Sequence, residues 1–344
     1  MSGRMDGPED DRGGAPRARS RHAETEDAKP LAPATPMGEG GEFDAIRLLL
    51  DRWGPRARGI GDDAAVLDVP PGERLVVTTD AAIEHVHFRR EWMTSAQIAW
   101  RAVAAAASDV AAMGAFPLGI VFALGIPSVW RGELGALADG LGDACEQFGL
   151  PIIGGNLSAA GELSIVSTIM GSAPAPVPRS GARAGDVVYV TGRLGGPGAA
   201  LAALLGGTDP IAAHRDRVVR PVPRIAEGRW LAQQGVRAMI DISDGLAADL
   251  GHMAAASGAR IVVEVERVPL MPEVDSLAAL GSGEEYELAC VAPETAGVDP
   301  GAFQRMFGLP LTRIGRVESG GTEVVLLHEG ARVAPPRGHD HFSS

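Results

Sequence analysis

The sequence Ala-Met-Ile-Asp-Ile-Ser-Asp-Gly-Leu, residues 238–246, contains the pattern that decides the fold class of this chain. Its apolar first half predicts a short buried β-strand that ends near Asp241. Ser243 or Asp244 can cap a helix, and the apolar positions that follow predict a helix as far as Ser257. A strand that passes directly into a helix is the building unit of α/β domains, so this stretch predicts that class.

Similar alternations of strand and helix patterns extend through both halves of the 344-residue chain. The length suggests two domains of roughly 150 residues each. We predict an α/β (α+β) domain at residues 41–172, a linker at 173–178 within a Pro-rich segment, and a second α/β domain at 179–344. Residues 1–40 are rich in Gly, Pro and Ala and have no periodic apolar pattern, which predicts a disordered N-terminal tail.

The charge of the chain restricts the function classes that fit it. A net charge of −13 argues against a general nucleic-acid-binding protein, because phosphate backbones require basic surfaces. Lys29, inside the predicted tail, is the only lysine. A folded region without lysine excludes a Walker-type phosphate lysine and a Schiff-base lysine. Phosphate contacts must therefore come from arginine, backbone amides or metal ions.

Cysteine content and hydropathy predict the compartment. Cys145 and Cys290 do not form a CxxC pair, so neither a zinc site nor a disulfide framework is expected. The N-terminal stretch is polar and has no apolar signal region. The longest apolar run, residues 110–127, is interrupted by glycine and proline and predicts a helix end, a turn and a strand rather than a membrane span. We expect a cytoplasmic protein that does not bind a membrane.

Aspartates near predicted strand ends and helix starts are the best candidates for chemistry. The apolar run at 75–79 predicts a strand that ends at Asp80, which either caps a loop or faces a cleft. Asp241 and Asp244 lie at one predicted helix start, where helix amides can help to hold phosphate and paired carboxylates suit Mg²⁺. The complete set is Asp62, Asp63, Asp80, Asp109, Asp241 and Asp244.

Two weaker patterns leave alternatives open. The turn Gly-Arg-Leu-Gly-Gly, residues 192–196, could hold phosphate with its amides, or it could need glycine for its geometry alone. His85 and His87 point the same way if their segment is extended. They could form a metal pair, but a substrate hydrogen bond or an ordinary surface position is the favoured interpretation.

Several motifs follow one another along the chain in one order. They are Gly-Ile-Gly-Asp-Asp-Ala-Ala-Val-Leu at 59–67, Thr-Thr-Asp at 78–80, Glu-His-Val-His-Phe at 84–88, Ser-Asp-Val-Ala-Ala-Met-Gly-Ala at 108–115, Arg-Ser-Gly-Ala-Arg-Ala-Gly-Asp at 179–186, Val-Thr-Gly-Arg-Leu-Gly at 190–195, Arg-Pro-Val-Pro-Arg at 220–224, Asp-Ile-Ser-Asp-Gly-Leu at 241–246 and Asp-His-Phe at 340–342. Together they resemble the thiamine-monophosphate kinase family over about residues 41–342.

The resemblance implies a fold and a reaction. The fold is that of the aminoimidazole-ribotide-synthetase superfamily, in which the N-terminal α/β domain pairs with its copy in a homodimer and the C-terminal α/β domain completes each site. The reaction is direct in-line phosphoryl transfer from ATP to thiamine monophosphate, without a phosphoenzyme, giving ADP and thiamine diphosphate. Several Mg²⁺ ions held by aspartates would remove the repulsion between the two phosphate-bearing substrates.

The resemblance also implies roles for individual residues, none of them a catalytic acid, base or nucleophile. The implied metal ligands are Asp63, Thr79, Asp80, Asp109, Asp241, Asp244 and Asn156. The implied ATP contacts are Thr78, Gly155, Asn156, Arg179 and Ser243. The implied contacts to thiamine monophosphate are His87, Glu284 and His339.

Six positions depart from the pattern of the family, and two of them, Ser282 and Glu285, are milder changes. Asn156 stands where the family usually has a metal-binding aspartate, and Arg101 stands where it usually has a lysine. Ala106 replaces a usual asparagine, and His339 replaces an aromatic residue that would stack on the thiamine. These departures keep two alternatives open: another ATP-using enzyme of the superfamily, or a non-catalytic paralogue that binds nucleotide or thiamine phosphate.

Overall fold

The computed structural model describes residues 41–336 together with Met1 and Gly338. The predictions made for the N-terminal tail (apart from Met1), for His339 and for the Asp-His-Phe motif at 340–342 lie outside the described residues.

Helices and strands are mixed along the whole of the described chain. The helices are α1 (Gly41–Trp53), α2 (Ser95–Ala112), α3 (Leu134–Phe148), α4 (Gly196–Leu205), α5 (Ala212–Val219), α6 (Ile225–Gln233), α7 (Leu246–Ser257), α8 (Ser276–Leu280) and α9 (Pro300–Phe307). The strands are β1 (Arg74–Ile83), β2 (Phe116–Ile126), β3 (Ile152–Ala159), β4 (Ser164–Ala173), β5 (Val187–Thr191), β6 (Ala238–Asp241), β7 (Arg260–Glu264), β8 (Leu288–Ala292), β9 (Leu311–Glu318), β10 (Val324–His328) and β11 (Ala331–Val333).

The first sheet is formed by the four strands that the structure describes between residues 41 and 173. Their spatial order is β1-β4-β2-β3, with β4 antiparallel to both of its neighbours and β3 parallel to β2. Helix α2 packs against β1 and β4, and α3 packs on α2. Alanines of α2 and the fully buried side chains of Ile120, Ile165 and Ile169 form the core between the sheet and the helices.

Helix α2 forms for reasons that are visible in its sequence. It is rich in alanine, the residue with the highest helix propensity. Thr94 starts it with a capping box: its hydroxyl accepts a hydrogen bond from the Gln97 amide, and its amide donates to the Gln97 side chain. Gly114 follows the helix with a φ of +63°, a conformation that suits glycine. The small side chains allow close packing on both sides of the helix.

Within the part of the chain that the structure describes, the second sheet contains seven strands, in the order β11-β10-β7-β9-β5-β8-β6. Helix α7 packs against β6, β7 and β10. Buried apolar side chains from the strands and from α7, among them Val188, Val190, Leu250 and Ile261, form the core beneath it. The chain therefore contains two α/β units in succession, and the predicted fold class is confirmed.

One strand boundary differs from its prediction. Strand β1 does not end at Asp80 but continues to Ile83, because β4 pairs with it throughout, from Ala173 opposite Arg74 to Ser164 opposite Ile83. The partner strand provides hydrogen bonds that the local sequence cannot indicate. The first sheet ends at Ala173 and the second begins at Val187, while the exact limits of the two domains remain a prediction.

Helix α2 also contacts α6 and β6, so it lies between the two sheets. The closest approach is at Gly228 of α6, where an added Cβ would lie 2.1 Å from the carbonyl oxygen of Ala111. We expect Gly228→Ala to lower the free energy of unfolding by about 1–3 kcal/mol, because the backbone of α2 must shift. Chemical denaturation measures the change.

Gly251 provides the matched control for this prediction. It lies inside α7, and an added Cβ there meets nothing closer than a Val324 methyl carbon at 4.0 Å. Gly251→Ala should raise the free energy of unfolding by about 0.5–1 kcal/mol, because alanine has less backbone entropy to lose on folding. Equal effects of the two substitutions would contradict the close contact between α6 and α2.

Candidate active site

A cleft of about 760 Å³ is bounded by residues from both halves of the chain. Its walls come from β1 and the turn after it, from α2 and α4, from the end of β6 and the loop that leads to α7, and from the loop before β8. Nine of the residues singled out in the sequence line it: Thr79, Asp80, His85, His87, Asp109, Asp241, Ser243, Asp244 and Glu284.

Alternation along β1 directs neighbouring side chains to opposite faces of the first sheet. Thr78 faces α2, and its hydroxyl donates a 2.5 Å hydrogen bond to a carboxylate oxygen of Asp109. Asp80 lies on the same side and lines the cleft. The hydroxyl of Thr79 points the other way, where it is 2.9 Å from the Thr168 hydroxyl. Of the three residues, Asp80 alone is thus placed to offer its side chain to a ligand in the cleft.

Helix α2 and strand β6 bring two more carboxylates to the cleft. The Ser108 hydroxyl donates a 2.8 Å hydrogen bond to Asp241, which is the last residue of β6. Burial, and then the nearby Asp109 carboxylate, raise the pKa of Asp241 to about 7. Burial also raises the pKa of Asp109, and the charge of Asp80 adds to that shift. These carboxylates therefore repel one another, and a bound cation would relieve the repulsion.

The turn that carries Ser243 and Asp244 is fixed by a residue that the sequence reasoning missed. One carboxylate oxygen of Asp249 accepts hydrogen bonds from the amides of Ser243, Asp244 and Gly245, each 3.1 Å long. Helix α7 begins after Gly245, which makes no side-chain cap. The prediction that Ser243 or Asp244 caps this helix is therefore wrong. Both side chains are instead available to the cleft.

Asp249 had a signal in the sequence. It lies in the first turn of α7, where a negatively charged side chain interacts favourably with the unpaired amides of the helix N-terminus. Burial, and then the charges of Asp241 and Asp244, raise its pKa to about 8. The group of acidic residues at this helix start is thus larger than the Asp241–Asp244 pair.

The donor set fits Mg²⁺ only if the ion is shared with a ligand. In the part of the chain that the structure describes, no group of three or more His, Cys, Asp or Glu side chains is arranged to hold a metal by itself. The cleft offers carboxylate oxygens at Asp80, Asp109, Asp241 and Asp244. Mg²⁺ prefers oxygen ligands and typically completes its shell with water and substrate phosphates. Arg179 lies close enough to lower the pKa of both Asp109 and Asp241.

Five predicted site residues in the described part of the chain do not line this cleft: Thr78 and Arg179, which lie close to Asp109, and Asp63, Gly155 and Asn156. Asp63 is exposed and is not among the lining residues. Gly155 and Asn156 lie on β3, at the edge of the first sheet opposite to β1. Asn156 pairs with Ala123 of β2, so about 14 Å, or three strand spacings, separates it from β1.

The turn after β1 is not extended. His85 has a φ of +65°, and its amide donates to the carbonyl of Phe88. His85 and His87 were expected to point the same way only if this segment were extended, and it is not. The amide of Ile83 donates to Nδ1 of His87 at 3.1 Å, so a neutral His87 ring carries its proton on Nε2.

The loop before β8 supplies the other end of the cleft. Glu284 and Tyr286 have φ angles of +57° and +52°, in the left-handed region that non-glycine residues rarely adopt. Their amides donate to the carbonyls of Ser243 and Ile242, which ties this loop to the turn that carries Asp244. Such backbone strain, held by surrounding contacts, is common at functional sites.

The glycine-rich turn at 192–196 packs closely against buried carboxylates of the loop before β8. The amide of Gly195 donates to the buried carboxylate of Glu285 at 2.5 Å. At Gly192, an added Cβ would lie 2.2 Å from a carboxylate oxygen of Glu287. Of the two interpretations left open by the sequence, the structure supports the one in which glycine is needed for geometry.

Comparison with known proteins gives the same two-part division. The model of the AIR synthase related protein N-terminal domain matches residues 61–173, and that of the corresponding C-terminal domain matches residues 183–328. The thiamine-monophosphate kinase of Salmonella typhimurium is 36% identical over 327 residues, which cover 88% of this chain and 99% of that protein. The thiamine-monophosphate kinase of Methanospirillum hungatei is 39% identical over 265 residues, covering 75% and 86%.

Solved structures of thiamine-monophosphate kinases are also similar to this chain. The thiamine-monophosphate kinase of Stenotrophomonas maltophilia superposes with a TM-score of 0.73 at 33% identity, covering 81% of this chain and 95% of that one. The structure of AaThiL complexed with AMPPCP and TMP gives a TM-score of 0.69 at 30% identity, covering 90% and 100%. The hydrogenase maturation protein HypE in complex with ATP, at 22% identity and a TM-score of 0.71, shares the fold. No helix among the described residues is long and apolar enough to cross a membrane.

The ordered motifs, the two α/β units and the extent of these matches agree with one another. The chain belongs to the thiamine-monophosphate kinase family.

Proposed function

We propose that this protein transfers a phosphoryl group from ATP to thiamine monophosphate and forms thiamine diphosphate. One observation carries the proposal: the cleft gathers Asp80, Asp109, Asp241 and Asp244 from both halves of the chain. A related structure, AaThiL, holds AMPPCP, an ATP analogue, together with TMP. An acidic cleft suits two phosphate-bearing substrates only when cations accompany them.

Mg²⁺ bound by these four aspartates would neutralise the phosphates and align them for in-line transfer. Other side chains would hold these carboxylates in the orientation that metal binding requires. Thr78 orients Asp109, and Ser108 orients Asp241, each through one hydrogen bond. Asp249 holds the turn that presents Asp244. Because a phosphate oxygen is already a nucleophile at neutral pH, the reaction needs no catalytic base.

The substrates are proposed to take separate ends of the cleft. Ser243 and Arg179 lie beside the aspartates and would contact ATP. His87 and Glu284 line the part formed by the turn after β1 and the loop before β8, and they would contact thiamine monophosphate. Thr78 was predicted as an ATP contact, but its hydroxyl is engaged with Asp109, so we assign it the positioning of that carboxylate.

We also propose a homodimer that forms through the open face of the first sheet. Val77 is 57% exposed there, and Leu75 is 52% exposed. Thr79 and Asn156 lie on the same face, which is opposite to α2. A second copy on this face would cover the apolar side chains and bring Asn156 toward a partner.

A cytoplasmic location is proposed too, since both cysteines are free and buried.

Val77→Asp is expected to convert the dimer into a monomer, because a charge cannot be buried in an apolar interface without a partner. Sedimentation velocity measures the change. Val129→Asp is the matched control. Val129 is 69% exposed and lies outside the first sheet, so this variant should sediment as a dimer, like the wild type. A Val77→Asp variant with unchanged mass would contradict the assignment of this face.

Product analysis with a series of acceptors tests the proposed function against its alternatives. The protein is incubated with ATP and Mg²⁺, and with thiamine monophosphate, thiamine or no acceptor. We expect thiamine diphosphate with the first acceptor alone. ADP without thiamine diphosphate would point instead to another ATP-using enzyme of the superfamily. ATP binding without any ADP would point to a non-catalytic paralogue.

A further inference from the structure

Arg101 is a buried cation beside the acidic cleft. It belongs to α2 and its side chain is 7% exposed. Burial disfavours its charged form, but the Glu284 carboxylate offsets this effect, and the pKa of Arg101 is raised above its ordinary value. A buried charge of this kind is retained only when a partner of opposite charge is held against it.

The contacts of Arg101 join three elements that are distant in sequence. Its guanidinium forms an ion pair with the carboxylate of Glu284 and donates a 3.3 Å hydrogen bond to the carbonyl of Val218, at the end of α5. It also borders a recess of about 30 Å³ that is shared with Asp80, His87 and Glu284. Arg101 is thus placed between the carboxylates proposed for Mg²⁺ and the residues proposed for the acceptor.

Glu284 differs from Arg101 in its exposure. Its side chain is 38% exposed and lines the cleft, while one of its oxygens contacts the buried guanidinium. Its left-handed backbone is held by the hydrogen bond from its amide to the Ser243 carbonyl. The Ser243 carbonyl therefore holds the backbone of Glu284, and the Arg101 guanidinium holds its carboxylate. This arrangement leaves the exposed part of the carboxylate with one orientation toward the cleft.

We propose that Arg101 is a positioning residue that holds the Glu284 carboxylate in place for the acceptor and thereby determines acceptor affinity. The inference rests on the proposed function. Thiamine monophosphate carries a cationic thiazolium ring and an aminopyrimidine with N–H donors, and both are complementary to an oriented carboxylate. The adenine of ATP also carries an amine but no cationic ring, so the thiazolium charge is the feature by which this carboxylate would favour the acceptor.

Steady-state kinetics of Arg101→Met, with each substrate varied in turn, tests the inference. We expect the KM for thiamine monophosphate to rise about tenfold, which is the loss of affinity that follows from the loss of one charge-assisted hydrogen bond. The KM for ATP should change less than about twofold. Arg101→Lys, which keeps the charge, should restore most of the acceptor affinity. In the Glu284→Gln background, Arg101→Met should add little, because the group that it positions has already been neutralised.

Arg237 offers a matched control. It forms a partly buried ion pair with Asp186, 3.0 Å long, and does not line the cleft. Arg237→Met should therefore leave both KM values unchanged even where it lowers thermal stability. If Arg101→Met does not fold, Arg101→Gln takes its place in the same comparison: a selective rise in the acceptor KM, which Arg101→Lys does not show, supports the inference, and an unchanged acceptor KM opposes it.

The outcomes separate this inference from the function on which it rests. A wild-type protein that forms no thiamine diphosphate would overturn both. An active wild type whose Arg101→Met variant keeps its acceptor KM, or in which both KM values rise equally, would overturn the positioning role alone. Additive effects of Arg101→Met and Glu284→Gln would do the same.

Discussion

Replacement of Asp80 by asparagine is expected to lower the turnover number on the order of a hundredfold to a thousandfold, while the protein stays folded. The substitution removes a negative charge at the point where phosphate and Mg²⁺ would meet, and losses of this size follow removal of one electrostatic group from an active site. It leaves the size of the side chain unchanged.

Stability should move in the opposite direction from activity. The charge of Asp80 contributes to the raised pKa of Asp109, so its removal relieves a repulsion within the folded protein. We expect an unchanged or higher melting temperature for Asp80→Asn, measured by circular dichroism. Asp51→Asn, on the exposed surface of α1, is the matched control and should retain full turnover. Turnover of Asp80→Asn within threefold of wild type would refute the role of this carboxylate.

Glu287→Gln is expected to lower the free energy of unfolding by about 3–5 kcal/mol, the usual loss when one partner of a buried ion pair is removed. Glu287 is completely buried and accepts hydrogen bonds from Arg224 and Thr191. A nitrogen of Arg217 lies 3.1 Å from it as well. Glutamine preserves the shape of the side chain but removes the charge that the two arginines share, leaving Arg224 with the more distant Glu227 and Arg217 with Glu285. Chemical denaturation at neutral pH measures the loss.

The same network predicts a pH dependence. Burial raises the pKa of Glu287, but Arg224 and Arg217 outweigh that effect and bring it to about 2, below the ordinary value of 4.5. A lowered pKa in the folded state stabilises the protein above pH 4.5, and this contribution is lost as the pH falls toward 2. The difference in stability between wild type and Glu287→Gln should therefore shrink between pH 6 and pH 3.

Glu227 provides the control for the network. It lies 3.9 Å from Arg224, and burial raises its pKa, so its charge contributes little to stability. Glu227→Gln should change the free energy of unfolding by less than about 1 kcal/mol, as expected for a weak ion pair. A difference between wild type and Glu287→Gln that stays constant from pH 6 to pH 3 would contradict the account.

The parts of the site that the sequence could predict are local ones. Asp241 and Asp244 lie three residues apart at a strand-to-helix junction, so a single short stretch places both at one edge of a sheet. Asp80 was identified for a similar reason, even though the strand continues past it. Pairing with β4 extends that strand, and the partner lies more than eighty residues away in the chain.

Contacts between distant segments could not be predicted in this way. Neither the ion pair of Arg101 with Glu284 nor the hydrogen bond of Ser108 to Asp241 follows from spacing or periodicity. Both depend on how α2 packs between the two sheets. The wrong helix cap has a related cause, because Asp249 satisfies amides that Ser243 or Asp244 would otherwise have capped. Knowledge of the family supplied residue roles, but it did not supply this geometry.

The most direct test of the central claim follows the γ-phosphate itself. Wild-type protein and Asp80→Asn are incubated with ATP labelled at the γ-phosphate, Mg²⁺ and thiamine monophosphate, and the products are separated. The account predicts that wild type transfers the label to thiamine diphosphate in a one-to-one ratio with ADP, and that Asp80→Asn forms almost none. Label that appears only as inorganic phosphate, or equal transfer by both proteins, would contradict it.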